Sequence, residues 1–146
     1  MTKAFDCAIR LLARREHSAF ELSEKLERKG FDKIATSDAI AKCQALELQS
    51  DERFVESYSR SRIRQGYGPL KITQELKQKK LDANLIFKIL NQDDAHWVDH
   101  ATRVWLKKNK GQVEWSFAEL QKQQRFLLYR GFSSETITRV VEALEC

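Results

Sequence analysis

The chain repeats one short pattern three times, at intervals of about fifty residues. Each copy has an apolar residue, a polar or basic interval, a turn position and a second large apolar residue. The copies span Leu26–Phe31, Leu76–Leu81 and Leu127–Phe132. A period of this length is typical of repeat proteins, whose units are too small to bury their own apolar faces and therefore stack to complete a core. We therefore expect an array of similar units, with function on its surface.

Helix-start signals precede each copy and predict a middle helix in every unit. Ser-x-x-Glu capping boxes open the first and third of these helices, and Gly followed by Pro opens the second. The residues that carry these signals are Ser18 and Glu21, Gly68 and Pro69, and Ser116 and Glu119. After each turn we predict another helix. Its N-cap is Thr36 or Ser37 in the first unit, Asp82 in the second and Ser133 in the third, so the first unit has about four extra residues between the turn and this helix.

A further helix opens each unit, because apolar residues recur at helical spacing from Phe5, from Phe54 and from Trp97. With five glycines and one proline, the composition also favours helices over a β-sandwich. The prediction is an all-α protein of about nine helices. They form three tandem three-helix repeats, residues 1–49, 50–93 and 94–146, in a curved elongated array.

Positive charge is concentrated in the second repeat. Residues 53–80 hold eight Lys or Arg against two Glu, a net +6 where the whole chain carries +5. This excess indicates an acidic partner, either nucleic acid or an acidic protein surface, and its alternative is a solvated helix face. The predicted contact residues are Arg53, Arg60, Arg62, Arg64, Tyr67, Lys71, Lys77 and Lys79.

Aromatic residues allow two interpretations. Tyr67 lies in a tight Gly-Tyr-Gly connection between Arg64 and Lys71, where a contact role and a packing role are both open. The third repeat is rich in aromatic residues interleaved with lysines, which fit either the core of a terminal unit or a surface that stacks bases. Those aromatic residues are Trp97, Trp105, Trp115, Phe117 and Phe126.

No enzyme signature is present: the chain lacks a phosphate-binding GxxxxGK[ST] loop, GxGxxG after a strand and a Gly-x-Ser-x-Gly elbow. His96 and His100 are four apart beside acidic residues, but a transition-metal site needs more ligands, so surface histidines are expected. His17, next to the cap Ser18, is expected to shape a turn. We predict no catalytic residue, metal or cofactor.

The three cysteines, Cys7, Cys43 and Cys146, have no CxxC spacing, so two packed thiols and one terminal thiol are expected. No uncharged run exceeds the six residues 65–70, and the N-terminus lacks an apolar leader segment. We therefore expect a cytoplasmic protein that does not enter membranes. The sequence leaves the oligomeric state open, and a monomer is the default expectation.

Four ordered blocks carry a family resemblance: Leu12–Leu22, Asp51–Arg62, Gly66–Leu76 and Arg125–Ser133. They resemble the signature blocks of the bacterial RecX family of recombination regulators, and the likeness runs from about Ala4 to Leu144. Lys80 is a departure, since the family often has Gly there. The resemblance implies tandem three-helix repeats and no cofactor.

The resemblance also implies a partner and an activity. RecX proteins bind the RecA recombinase, chiefly its filament on single-stranded DNA, and inhibit strand exchange, ATP hydrolysis and coprotease function. Docking along the filament groove is the mechanism attributed to the family, and a repeat array suits a helical groove because its contacts are distributed over its length. The alternative is a basic helical protein that acts mainly by contacting single- or double-stranded DNA.

Overall fold

The computed structural model describes residues 2–110, 112 and 114–145, and within them the chain forms nine helices and no strand. The helices are α1 Lys3–Arg14, α2 Ala19–Arg28, α3 Lys33–Ala45, α4 Asp51–Arg64, α5 Pro69–Gln78, α6 Ala83–Leu90, α7 Asp94–Lys108, α8 Phe117–Arg130 and α9 Ser134–Glu145. The prediction of an all-α protein with three helices per repeat is confirmed.

The repeated sequence pattern corresponds to one kind of helix ending. At the end of α2, the Gly30 N–H donates to the Glu27 carbonyl at 3.0 Å and the Phe31 N–H to the Leu26 carbonyl at 3.3 Å. This pair of bonds is a Schellman motif, which needs a left-handed residue after the helix. Gly30, Lys80 and Gly131 fill that position with φ of 98°, 66° and 100°.

The leucines that open the pattern are buried at equivalent places. Leu26, Leu76 and Leu127 are each 0% exposed, and the carbonyl of each accepts the N–H of the large apolar residue five positions later. Burying a leucine side chain stabilises a fold by about 1.5–3 kcal/mol. The repeat therefore encodes a helix end together with an apolar anchor.

The start of α3 corrects one prediction. Asp32, and neither Thr36 nor Ser37, caps this helix, and its carboxylate accepts the Ala35 N–H at 2.7 Å. Asp32 lies two residues after the turn glycine, the same offset as Asp82 and Ser133, so the first repeat has no extra residues before its third helix. Thr36 is instead buried inside α3.

The two predicted capping boxes differ. Ser116 and Glu119 form the complete reciprocal box at the start of α8, as predicted. Ser18 accepts the Glu21 N–H at 3.1 Å, but the Glu21 carboxylate bonds to the Arg15 guanidinium. The reciprocal half of the first box is thus replaced by an ion pair.

The described residues fall into two compact units, and the second repeat contributes to both. The first unit runs up to Tyr58 and includes Leu76–Ile86; in its core, α1 packs most extensively on α3. The second unit comprises Ser59–Glu75 and the described residues from Phe87 onward, with α7 packed mainly on α9.

The burial of individual residues tests several of the sequence predictions. Cys7 and Cys43 are buried free thiols as expected, whereas Cys146 lies outside the described residues. Trp97 and Trp105 are core residues of the second unit, but Phe117 is 76% exposed, so the core interpretation is wrong for Phe117. Within the described part of the chain, no helix combines the length and apolar character that a bilayer span requires.

Candidate functional site

The Tyr67 ring is the centre of a cluster of cations in the second unit. The Arg62 Cζ lies 3.9 Å from the ring centroid, the Arg130 Cζ 4.9 Å and the Lys71 Nζ 5.8 Å. Such cation–π contacts are each worth about 0.5–1 kcal/mol at exposed sites. Tyr67 thus gathers positive charge from the end of α4, the first turn of α5 and the end of α8. We call Arg62, Tyr67, Lys71 and Arg130 the tyrosine cluster.

Two glycines shape the connection that carries Tyr67. Gly66 ends α4 in a left-handed conformation, with φ of 93°, and Pro69 is the first residue of α5. The Gly68 N–H donates to the Arg130 carbonyl at 2.7 Å, and the Leu70 N–H to the Gly131 carbonyl at 2.9 Å. N–H groups at the start of α5 therefore pair with carbonyl groups at the end of α8. Both are groups that have no hydrogen-bond partner within their own helix.

The close approach of the two backbones at this connection requires glycine. A Cβ at Gly68 would lie 2.6 Å from the Gly131 carbonyl oxygen, and one at Gly131 would lie 2.6 Å from the Lys71 backbone nitrogen. Side chains at either position would separate the two turns. The Gly-Tyr-Gly-Pro sequence is thereby explained as a docking element that fixes the position of Tyr67.

Arg62 has a positioning role within the cluster. Its guanidinium forms a bidentate pair with Glu75, at 2.9 and 2.7 Å, and donates to the Gln65 side-chain oxygen at 2.6 Å. Both charged side chains are only about a fifth exposed. The Arg62 charge is therefore neutralised inside the unit, where it links α4 to α5 beneath Tyr67.

Arg130 was missing from the predicted contact residues. Its Nη1 donates to the Gln65 carbonyl at 2.9 Å, and its Cζ lies 4.9 Å from the Phe126 ring centroid as well as against Tyr67. The local sequence marks it only as a basic residue in the last turn of a helix, where cations are generally favoured. Gln65 and Tyr67 are more than sixty residues away along the chain, so no local signal identified the role of Arg130.

The remaining predicted contact residues are divided between the units. Arg60 and Arg64 are exposed on the last turns of α4 in the second unit. Arg53, Lys77 and Lys79 belong to the first unit. There Arg53 is ion-paired to Glu16 at 3.0 Å, and the Lys79 Nζ lies 5.4 Å from the Tyr58 ring centroid.

Two of the three histidines, His17 and His100, are buried next to polar groups of the protein. His100 is buried, and its Nε2 lies 3.2 Å from the Tyr67 carbonyl oxygen. Burial lowers the pKa of His100. The prediction of surface histidines is therefore wrong for His100, whereas His96 is exposed. His17 is buried between the Arg15 carbonyl, 3.1 Å from its Nδ1, and the Lys25 ammonium, 2.9 Å from its Nε2. The described residues contain no group of three His, Cys, Asp or Glu placed to hold a metal ion.

Three domain models of one family match the chain in order. They are RecX, first three-helix domain, at residues 4–43; RecX, second three-helix domain, at 50–89; and RecX, third three-helix domain, at 95–141. Each match lies within one of the three repeats predicted from the sequence.

Curated proteins and solved structures give the same family. The chain is 55% identical to regulatory protein RecX of Legionella pneumophila (strain Corby) over 145 residues, which is 99% of this chain and 97% of the relative. It is 36% identical to regulatory protein RecX of Haemophilus influenzae (strain ATCC 51907 / DSM 11121 / KW20 / Rd), covering 94% and 92%. The crystal structure of RecX from Lactobacillus salivarius is similar with a TM-score of 0.86 and 25% identity, covering 98% and 95%.

Proposed function

The chain belongs to the RecX family, and on this premise we propose that it is a regulator of the RecA recombinase. It binds RecA and the RecA nucleoprotein filament in the cytoplasm and inhibits recombinase, ATPase and coprotease activities, thereby modulating DNA repair and recombination. The observation that carries this proposal is the ordered match of three family domains together with 55% identity to a curated relative over almost the whole chain. The relatives are named regulatory proteins, which agrees with a role outside catalysis.

Charge on the second repeat supports an acidic partner surface. Arg60 and Arg64 project from the end of α4, and Lys71 lies at the start of α5, so three cations flank one connection. Exposed pairs of opposite charge across an interface steer association and fix register more than they add affinity. We infer that this region of the second unit contacts acidic side chains of the filament, with Lys77 and Lys79 as further contacts from the first unit.

RecA-dependent ATP hydrolysis on single-stranded DNA tests the proposal. A regulator that bridges or caps the filament affects many RecA subunits, so inhibition is expected when this protein is well below equimolar to RecA. Hydrolysis that is unchanged up to equimolar protein would refute the proposal. Bovine serum albumin at the same concentration controls for nonspecific effects.

A second candidate function is direct nucleic-acid binding, which the net +6 of residues 53–80 favours. A protein that competes for DNA must cover the strand, and its affinity falls steeply with salt in proportion to the phosphates it neutralises. Raising both the salt and the DNA excess separates the two functions. Inhibition that persists at salt where DNA binding is already weak favours RecA as the partner, and inhibition abolished by excess DNA favours competition.

A further inference from the structure

A pocket of about 630 Å³ lies within the second unit, beside the tyrosine cluster. Small-molecule sites typically measure about 300–1,000 Å³, and this pocket falls in that range. Five of the described residues that line the pocket are Lys or Arg. No described lining residue is Asp or Glu. The basic residues are Arg64, Arg103, Lys107, Lys108 and Arg130.

Most of this charge is not neutralised by other residues in the part of the chain that the structure describes. Arg103 pairs with Asp99 on the exposed side of α7. The other four basic residues form no ion pair with any carboxylate in residues 2–110, 112 and 114–145. Burial, followed by repulsion from Lys122 and Arg130, lowers the pKa of Lys108. Lys108 and Arg130 both lie near the Phe126 ring and repel each other, and a multivalent anion bound between them would relieve this repulsion.

One aromatic ring holds two of these cations in place. The Lys108 Nζ lies 3.6 Å and the Arg130 Cζ 4.9 Å from the Phe126 ring centroid. The Arg130 guanidinium is also fixed by its hydrogen bond to the Gln65 carbonyl. Gly66 leaves room for it, since a Cβ there would lie 3.0 Å from the Arg130 Nη1. Donors fixed before a ligand arrives lose little entropy when it binds.

The lining also has an apolar part, formed by Ile63, Val104 and Phe126. A site that combines converging cations with an apolar wall is suited to a ligand that carries concentrated negative charge beside a flat, weakly polar group. The Phe126 ring is already in contact with Lys108 and Arg130, so the apolar group would pack on Ile63 and Val104.

We propose that this pocket binds a phosphate-bearing ligand of nucleotide size. Each phosphate group offers several strong acceptor oxygens and up to about two negative charges, whereas a peptide carries one charge per acidic residue and spreads it along the backbone. Arg and Lys side chains match phosphate in geometry and charge. The ligand is either a free nucleotide, whose terminal phosphate carries up to about two charges, or one nucleotide of a strand, whose phosphodiester carries a single charge beside the same sugar and base.

Isothermal titration calorimetry on the full chain without RecA tests this proposal independently of the proposed function. The ligands are ATP, the pentanucleotide dT5, adenosine and a hexapeptide of glutamate. The pocket variant replaces Lys107 and Lys108 by Gln, and a matched control replaces Lys29 and Lys33, two exposed lysines of the first unit, by Gln. Both variants remove two positive charges, so a general loss of electrostatic attraction affects them equally.

We expect ATP or dT5 to bind and adenosine to bind far more weakly, with a Kd that rises about tenfold or more in the pocket variant and little in the control. Binding of ATP identifies the free nucleotide as the source, and binding of dT5 alone identifies the strand. The proposal is overturned if neither phosphate ligand binds at millimolar concentration, if the two variants weaken binding equally, or if the glutamate peptide binds more tightly than both. Failure of this test would leave the proposed regulation of RecA unaffected.

Discussion

Alanine at two equivalent glycines separates backbone strain from tertiary packing. Gly30 and Gly131 occupy the same left-handed position after a middle helix, with nearly the same φ, 98° and 100°. A Cβ at Gly30 meets nothing within 4 Å, whereas one at Gly131 would lie 2.5 Å from the Lys71 Cβ and 2.6 Å from its backbone nitrogen. The pair therefore shares the strain and differs only in the steric overlap.

The expected losses follow from these contacts. Placing an L-residue in the left-handed region costs about 1–2 kcal/mol, and the lower entropy of alanine in the unfolded chain offsets about 0.4–1 kcal/mol of this cost. The loss expected for Gly30→Ala is therefore up to about 1.5 kcal/mol. Carbon atoms in contact normally lie about 3.5–4.0 Å apart, so Gly131→Ala must also push the start of α5 away from the end of α8. That movement breaks two backbone hydrogen bonds, at 2.7 and 2.9 Å, worth about 1 kcal/mol each. The total for Gly131→Ala is about 2–3.5 kcal/mol.

Urea unfolding followed by two probes measures the difference. All three tryptophans, Trp97, Trp105 and Trp115, lie in the second unit, so their fluorescence follows that unit, while far-UV circular dichroism follows both. Gly131→Ala should lower the fluorescence midpoint strongly, and Gly30→Ala should act mainly on the dichroism signal. Equal losses for the two variants would refute the argument that the docked turns require glycine at Gly131.

Lys80 provides a test of the strain in the opposite direction. It holds the same left-handed position with a φ of 66° although it has a side chain. Lys80→Gly should therefore stabilise the protein, by up to about 1 kcal/mol after the greater entropy of glycine in the unfolded chain is counted. A destabilised Lys80→Gly variant would show that strain at this position is negligible.

Three further predictions concern the core, the pH dependence and the contact surface. Leu76→Ala should cost about 2–5 kcal/mol, because Leu76 is 0% exposed, and an unchanged urea midpoint would contradict the equivalence of the three leucines. Burial lowers the pKa of His17 below its ordinary value of 6.5, so His17 becomes protonated at a higher pH in the unfolded chain than in the folded protein. The contribution of neutral His17 to the free energy of unfolding should be complete above about pH 7 and should fall as the pH drops toward 5. In His17→Asn the urea midpoint should therefore decrease less between about pH 7 and pH 5. Arg64→Glu combined with Lys71→Glu should raise the protein concentration needed to inhibit RecA ATP hydrolysis by roughly tenfold, while Lys33→Glu should leave it unchanged; equal effects would move the contact elsewhere.

The charged candidates show how far sequence reasoning reaches toward a site. The cluster of basic residues in the second repeat was recognisable by counting, and the structure brings Arg62, Tyr67 and Lys71 together. Counting did not show that Arg62 is neutralised by Glu75 or that Arg53 is paired with Glu16. These pairings join separate helices, so they depend on how the helices pack rather than on spacing along the chain.

The error at α3 has a related cause. Thr36, Ser37 and Asp32 are all residue types that cap helices, and local preference alone does not choose among them. The choice follows from the Schellman turn, which fixes the next helix start two residues after the left-handed position, as at Asp82 and Ser133. Strict use of the repeat register would have identified Asp32.

The sequence by itself determined the features that arise within a few residues of one another. Helix periodicity, most of the caps, the left-handed helix ends and the three buried leucines all depend on hydrogen bonds and apolar spacing inside a single turn or two. The tertiary structure alone decided which charges on different helices meet. Arg130 reaches Gln65 and Tyr67 across some sixty-five residues, and the basic pocket forms only where α4, α7 and α8 converge. Coulombic and cation–π interactions depend on distance in space, and no periodicity along the chain encodes that distance.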